Sequence, residues 1–366
     1  MNDCITLVVN GAEYASWSQA SIKYAADAAA RSFDFTVADV PGNLEGFQIQ
    51  PQDVALVYVG SDLVVNGYID VIAPSFDASN HTMKITGRSK SADMIDTSAT
   101  HSTGQFKDKT ALDIAKEIDH YGVGVESPMD LDKHRYFQIN QGEKTIDAID
   151  RLARADGFLI RGKADGGLIL ERAGDARMGG ALIEGMIPIL SGSSSLRADK
   201  KFSDVTVKGQ NGSGVEDDDI EGEGIVKNDG AKRYRPRIQL CDTAGGKANC
   251  TKQAEWQAKR LEGVNTSANF TCAGFRLGAE LWEANRLVYV NSPKLRIDQD
   301  MSIKSVDLSQ DAQGGSSTKL SLVDPRALGG DAPGKSGGKT GKSTTNKSDS
   351  LYGDFKTSVN PHAGEV

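Results

Sequence analysis

The sequence has no surplus of positive charge. Its 42 Lys and Arg stand against 50 Asp and Glu, a formal net charge of −8, so no global basic field draws the chain to nucleic acid or to an anionic membrane. Long hydrophobic runs are also missing. The apolar stretch in MNDCITLVVNGAEYASW is too short for a membrane span or an h-region, and it comes after an acid where a signal peptide carries bases. The expectation is a product that is cytosolic when made, with no stable membrane association. Cysteines are few: Cys4, Cys241, Cys250 and Cys272 form no CxxC pair and have no histidine at zinc spacing, which predicts free thiols and no metal site. Aromatic residues are 6% of the chain while Gly supplies 40 of its 366 residues, a mixture that suits many turns between short strands.

One motif points to nucleotide chemistry. In LGGDAPGKSGG, Gly329, Gly334, Lys335 and Ser336 match the phosphate-loop spacing, but that loop works only where a helix starts directly after it and adds its N-terminal N–H groups. Ser336 is succeeded instead by GGKTGKSTTNKSDS, without an apolar residue, and Gly costs about 1 kcal/mol per position in a helix. The run reads as a flexible linker, and no cofactor is expected.

Residues 1–95 alternate in the strand manner. ITLVVNG ends in an Asn-Gly turn, SFDFTVAD sets Phe33, Phe35 and Val37 on one face, and DVALVYVG with LVVNGYIDVIA reads as a hairpin pair. Composition shifts over 96–175. KTALDIAKEIDHYG has Thr110 and Asp113 at capping-box spacing and Gly122 as a stop. EKTIDAIDRLARADG buries Ile146, Ile149, Leu152 and Ala153, pairs Asp147 with Arg151 and Asp150 with Arg154, and stops at Gly157. FLIRGKADGGLILER then turns at Asp165-Gly166-Gly167, giving an α+β domain. Residues 176–198 read as a linker, 199–328 as a second β domain, and 329–366 as a flexible tail. Within 199–328, NCTKQAEWQAKRLEG is a helix expected to be capped by Asn249 and stopped by Gly263. Its stripe is Ala254, Ala258 and Leu261.

The two β regions share an order of features. LVYV occurs at Leu56–Val59 and again at Leu287–Val290; FDFTV precedes the first copy and ANFTCAGF the second. Downstream of each come a strand, a polar turn and another strand. Four features recurring in order predict an internal duplication, with an α+β domain between the copies. Three such chains around a threefold axis present six similar domains, a quasi-sixfold ring.

No set of residues forms a catalytic constellation. Glu45, Glu143 and Glu171 sit in polar or turn-like contexts, HExxH is absent, and His81, His120 and His134 read as solvated or capping residues. Asp217, Asp218 and Asp219, with Glu221 and Glu223 after them, do not keep the alternate spacing of a calcium loop. Two places suit partners instead. Trp256 lies about 200° around its helix from Ala254, so it packs under a loop or meets a neighbouring subunit. Leu351, Tyr352 and Phe355 form a short apolar cluster at the end of the linker, of the kind that docks onto another protein.

The order FSDVTVKGQ, the acidic glycine-rich loop, the helix with Trp256, LWEANRLVYVNSPKLRIDQDMSIKSVDLS and TKLSLVDP resembles the Mu-like phage baseplate hub family, also called tail protein P. FTVAD, LVYVGSDLVVNGYID and TALDIAKEI with EKTIDAIDRLARADGFLI fit the same family, up to about residue 328. The resemblance implies a β-rich α+β fold of two duplicated tube-like antiparallel β-barrel domains around an inserted α+β domain. It implies a structural, non-enzymatic homotrimer in the virion tail baseplate, whose pseudo-hexameric ring joins the sixfold tail tube to the trimeric membrane-piercing spike. It further implies that DNA leaves through the ring without specific binding. Hubs of this kind sometimes carry a cell-wall hydrolase, so a peptidoglycan hydrolase in the middle domain is the alternative expectation.

Overall fold

The computed structural model describes residues 3–39, 49–77, 81–209, 222–241, 247–312 and 315–335. Seven strands come first: β1 (Ile5–Val9), β2 (Ala12–Tyr14), β3 (Gln19–Ala25), β4 (Ser32–Asp39), β5 (Val54–Val59), β6 (Asp62–Phe76) and β7 (His81–Ser89). The middle region holds α1 (Ala92–Asp96), β8 (Gln105–Phe106), β9 (Lys109–Thr110), α2 (Ala111–Glu117), β10 (Val125–Glu126), β11 (Lys133–His134), β12 (Phe137–Gln138), α3 (Thr145–Asp156), β13 (Leu159–Gly162) and β14 (Leu168–Glu171). After it come β15 (Arg177–Ile183), β16 (Ile189–Leu196), β17 (Asp204–Lys208), β18 (Glu223–Lys227), β19 (Pro236–Leu240) and α4 (Lys247–Gly263). The last elements are β20 (Thr266–Ala273), β21 (Arg276–Leu277), β22 (Glu280–Leu281), β23 (Leu287–Ser292), β24 (Ile297–Asp311), β25 (Gly315–Val323) and a 3-10 helix, Pro325–Leu328.

Local chemistry explains the elements that the sequence announced. Asn10 and Gly11 both take positive φ, 52° and 79°, and close β1 on β2 with Val9 opposite Ala12, the two-residue turn that Asn-Gly favours. Thr110 and Asp113 form a full capping box at α2. Gly157 ends α3 at φ 71°, a left-handed position open to Gly at little cost. Of the two expected pairs on α3, Arg154 meets Asp150, whereas Arg151 turns back to Glu143 at 2.7 Å. Glu143 precedes the helix and is better placed for the guanidinium than Asp147 one turn before it.

Thirteen strands form one sheet, with the path β16-β20-β25-β24-β3-β4-β7-β6-β5-β1-β2 and a branch through β23 and β15. The two halves of this path have matching pairings. β4 pairs with β7, β7 with β6, and the first part of β6 with β5; likewise β20 pairs with β25, β25 with β24, and the first part of β24 with β23. Both β6 and β24 run for 15 residues and both shift register against the next strand, between Ile69 and Val71 against β7 and between Ile303 and Ser305 against β25; β6 shifts a second time against β5, where Val57 faces Val65 and Tyr58 faces Leu63. A bulge of this type bends a strand, so that one strand serves two differently aimed ladders. The halves differ at the next neighbour, where β1 is antiparallel to β5 but β15 is parallel to β23.

The structure corrects three expectations. Neither half closes as a barrel among the described residues, because the outer edge of β3 is taken by β24 of the other half, Leu308 opposite Ile22. Residues 176–198 are not a bare linker. They hold β15 and β16, which the backbone requires partners for once it runs beside β23 and β20. Residues 199–328 split in two: β17, β18 and β19 form a separate sheet under α4 with its own small cluster of Val207, Cys250 and Ala254. The buried face of α4 is thus Cys250, Gln253 and Ala254, with Ala258 and Leu261 only partly covered, and Asn249 lies inside the helix, not before it.

One continuous apolar core runs under both halves of the long sheet, from Ile5, Phe35 and Ile85 to Trp282, Val306 and Leu320. The middle region has its own core around Met94, Ile114, Ile149 and Leu152. Arg31 lies where these meet, 3% exposed. Its guanidinium donates to Gly162 O at 3.0 Å, Val64 O at 3.3 Å and Glu283 at 2.7 Å, and stands 4.5 Å from the Tyr24 ring centroid. Arg161 shares Glu283 at 3.0 Å. Arg31→Ala leaves the Gly162 and Val64 carbonyls without this donor and Glu283 with Arg161 alone, and a loss of about 3 kcal/mol is expected. Urea unfolding checks this by a lowered midpoint.

Candidate functional site

Side chains alternate across a strand, so every second residue of the long sheet faces away from its core. On β3 these are Ser21 and Lys23, on β4 Asp34 and Thr36, on β7 Lys84 and Thr86, and on β24 Asp307 and Ser309; all are partly or fully exposed, while the residues between them are buried. Register sets them side by side, Lys23 opposite Asp307, Ser21 opposite Ser309, and Asp34 opposite Thr86. Asn269, Thr271, Ser317, Lys319 and Ser321 continue the face on β20 and β25. Hydroxyls and amides dominate this surface.

Most of its charges are paired in place, while Lys319 stands exposed opposite Asp307. Lys23 lies 3.7 Å from Asp307 and Lys84 lies 2.7 Å from Asp34, while Arg88 reaches both Asp70 and Asp96 at 2.6 Å. The Arg88 guanidinium holds the Asp96 carboxyl below the usual carboxylate range. Largely paired charges among hydroxyls, with Lys319 isolated among them, give a polyanion no continuous cationic row to grip. This surface was not singled out from the sequence, although a signal was present: the period-two alternation of Ser, Lys, Asp and Thr with Ile, Phe and Leu over several strands.

Trp256 is half-buried within its own chain. A Cβ on Gly157 would sit 3.1 Å from its Cδ1, and one on Gly329 would sit 2.6 Å from its Nε1. The Arg260 guanidinium stands 4.6 Å from the ring centroid. Trp256 therefore wedges between the end of α3 and the segment after the 3-10 helix. Leu351, Tyr352 and Phe355 lie outside the described residues, as do Glu45, Asp217, Asp218, Asp219 and Glu221.

The residues weighed for chemistry are engaged elsewhere. Gly329 comes after the 3-10 helix, not after a strand, and Lys335 makes an ion pair with Asp298 at 3.0 Å; Ser336 is outside the described residues. Glu143 accepts from Arg151 and from the Asn140 N–H at 2.9 Å, and Glu171 from Arg161 at 2.6 Å and Asn285 at 2.8 Å. His120 Nε2 bonds to Thr100 O at 2.8 Å, and His134 Nε2 to Asp156 at 3.0 Å. No group of three or more His, Cys, Asp or Glu is arranged for a metal ion among the described residues.

The long bent strands, the shared sheet and the two cores define a phage-tail baseplate hub fold, and comparison with known proteins places the chain in that family. Residues 4–89 match the N-terminal domain of the Mu phage baseplate assembly protein GpP-like family, residues 91–172 the second domain of the baseplate hub protein gp44-like family, and residues 246–330 the fourth domain of Mu phage baseplate assembly protein GpP. The chain belongs to the Mu-like phage baseplate hub family. It is 28% identical over 339 residues to baseplate hub protein gp44 of Escherichia phage Mu, covering 88% of each chain. The 43 kDa tail protein of prophage MuSo2 from Shewanella oneidensis superposes with a TM-score of 0.80 at 27% identity, over 89% of this chain and 100% of that one. A tail protein from Neisseria meningitidis MC58 gives 0.78 at 19% identity, over 91% and 99%, a likeness of fold.

None of the four cysteines is in a disulfide. Burial pushes the Cys272 thiol up to about 12, and burial with the neighbouring Cys241 pushes Cys250 up to about 11. A thiol titrating higher in the folded chain adds stability below its unfolded value of 9.0, and that stability is lost as the pH rises toward 12. At pH 8 an aromatic disulfide reagent is expected to label the partly exposed Cys4 and Cys241 and to reach buried Cys250 and Cys272 only in denaturant.

Proposed function

We propose that the chain is the non-enzymatic hub of a contractile phage tail: a homotrimer whose two tube-like units per chain make a pseudo-hexameric ring. The ring joins the sixfold tail tube to the threefold membrane-piercing spike, and DNA leaves through it. The observation that carries this reading is the matched pairing order of the two halves of the long sheet, centred on β6 and β24. Two similar units in one chain are what a threefold assembly needs to present a sixfold face.

In this reading the units have the bounds that the pairings suggest. The first is residues 1–95; the second combines β15 and β16 with β20 to β25; residues 96–175 are the insert. The hydroxyl face with paired charges is the lumen wall, since a conduit for DNA works best where no fixed cation row retards it. Trp256 serves to hold the segment at Gly329, and Leu351, Tyr352 and Phe355 to reach the spike or an adjoining baseplate protein. Assembly takes place in the host cytoplasm, and the mature position is the virion tail.

Light scattering on the purified chain is expected to give three times its 39.0 kDa mass, unchanged on dilution and at raised salt. A monomer under all conditions would remove the ring. Clearing of peptidoglycan in a zymogram would move the middle region to the hydrolase reading.

A further inference from the structure

We infer that β16 of one copy adds to the exposed edge of β6 in the next copy, continuing the long sheet from chain to chain around the ring. The inference rests on the trimeric reading and names the surfaces that would form its contacts. Two observations carry it: two edges that natural sheets rarely leave bare, and an internal junction that shows how each is filled.

The first edge is β16, ILSGSSSL, eight residues without a charge or a proline. It is terminal in the sheet, pairing only with β20 among the described residues. The second is the latter part of β6, residues 71–75, which pair only with β7 among the described residues. Apolar side chains flank both, with Leu196 52% and Val71 51% exposed. Long uncharged edges are templates for further strands, and soluble proteins usually shorten, charge or cover them.

Inside the chain, the corresponding places are joined. Phe35 faces Ile85, which faces Ile72; in the other half Phe270 faces Leu320, which faces Val306. By this correspondence Val306 stands for Ile72 and Ser309 for Ser75. Ala20 and Ser21 face Phe35 and Asp34, as Gly192 and Ser193 face Phe270 and Asn269, so that β3 stands for β16. The junction of β24 with β3, Ser309 opposite Ser21 and Val306 opposite Tyr24, therefore predicts Ser75 opposite Ser193 and Ile72 opposite Leu196 of the next copy.

Hydrogen bonding adds detail. The Ala26 N–H donates to Lys304 O at 2.8 Å, which makes the pairs of Lys304, Val306 and Leu308 hydrogen-bonded and those of Ser305, Asp307 and Ser309 the close, non-bonded kind. Pro74 stands where Leu308 does. It brings no N–H, so the intersubunit ladder is one bond shorter than the internal one. Such a proline also discourages casual strand addition. The contact is head to tail, from one surface to a different one, and such contacts close as a ring when the rotation per step divides the circle.

Ser75 and Ser193 fall on a non-bonded pair, where Cα atoms lie about 4.5 Å apart and a disulfide fits. The test is Ser75→Cys with Ser193→Cys in the full chain, with Cys4 and Cys241 changed to Ser, sized by light scattering before oxidation and then run on a non-reducing gel. The expected result is a native trimer that becomes a covalent trimer. Each single variant, and the off-register pair Ser75→Cys with Ser195→Cys, should stay unlinked. A native trimer that does not cross-link overturns this edge pairing and leaves the trimeric hub standing. A chain monomeric at every concentration overturns both. Linked open polymers would overturn ring closure. Leu196→Glu, at an exposed position, is expected to raise the dissociation concentration of the trimer about tenfold or more; an unchanged value counts against the contact.

Discussion

A buried arginine holds the architecture together. Arg31 lies in the connection between β3 and β4, yet its guanidinium bonds to β6 through Val64, to β13 through Gly162, and to Glu283 just before β23. A cation in that position is costly unless its donors are nearly all used. Here the geometry that satisfies it requires both halves of the long sheet and the middle region to be in place at once. Tyr24 adds to the same constraint, giving its ring to Arg31 and its hydroxyl to the Trp282 carbonyl. Burial pushes the Tyr24 phenol well above its ordinary range, so it remains a donor at any physiological pH.

This junction also constrains the strand order. β24 must leave β23 and reach β3, and the bulge after Ile303 turns it by enough to do so. Consequently the core under the sheet is continuous across both halves, and the opposite face is a continuous band of hydroxyls and paired charges.

Much of the local structure was legible in the residues. The Asn10-Gly11 turn, the Thr110 capping box, the Gly157 stop and the hairpin at Asp165-Gly166-Gly167 all depend on interactions within a few residues, and the structure has each of them. The recurrence of LVYV and of Phe-Thr marked the strands that occupy matching places in the two halves. Other details were hidden. Arg151 had Asp147 at helical spacing but found Glu143 outside the helix, and the burial of α4 was decided by which side the β17 sheet approached. β15 and β16, rich in Gly and Ser, lack the alternation that marks a half-buried strand, because their partners and not their side chains define them.

The sequence by itself determined the elements with short-range causes: turns, caps, the spacing of apolar residues, and the presence of a repeated order. It also determined the absence of a basic field, since charge count needs no fold. Only the tertiary structure decided that the two β regions share one sheet and one core, that Glu143 and Glu171 serve arginines, and that Trp256 faces Gly157 and Gly329. Those outcomes depend on contacts between residues far apart in the chain, such as Asp3 with Arg276. Strand edges are chosen by which neighbour reaches them first in space, and composition carries no record of that competition.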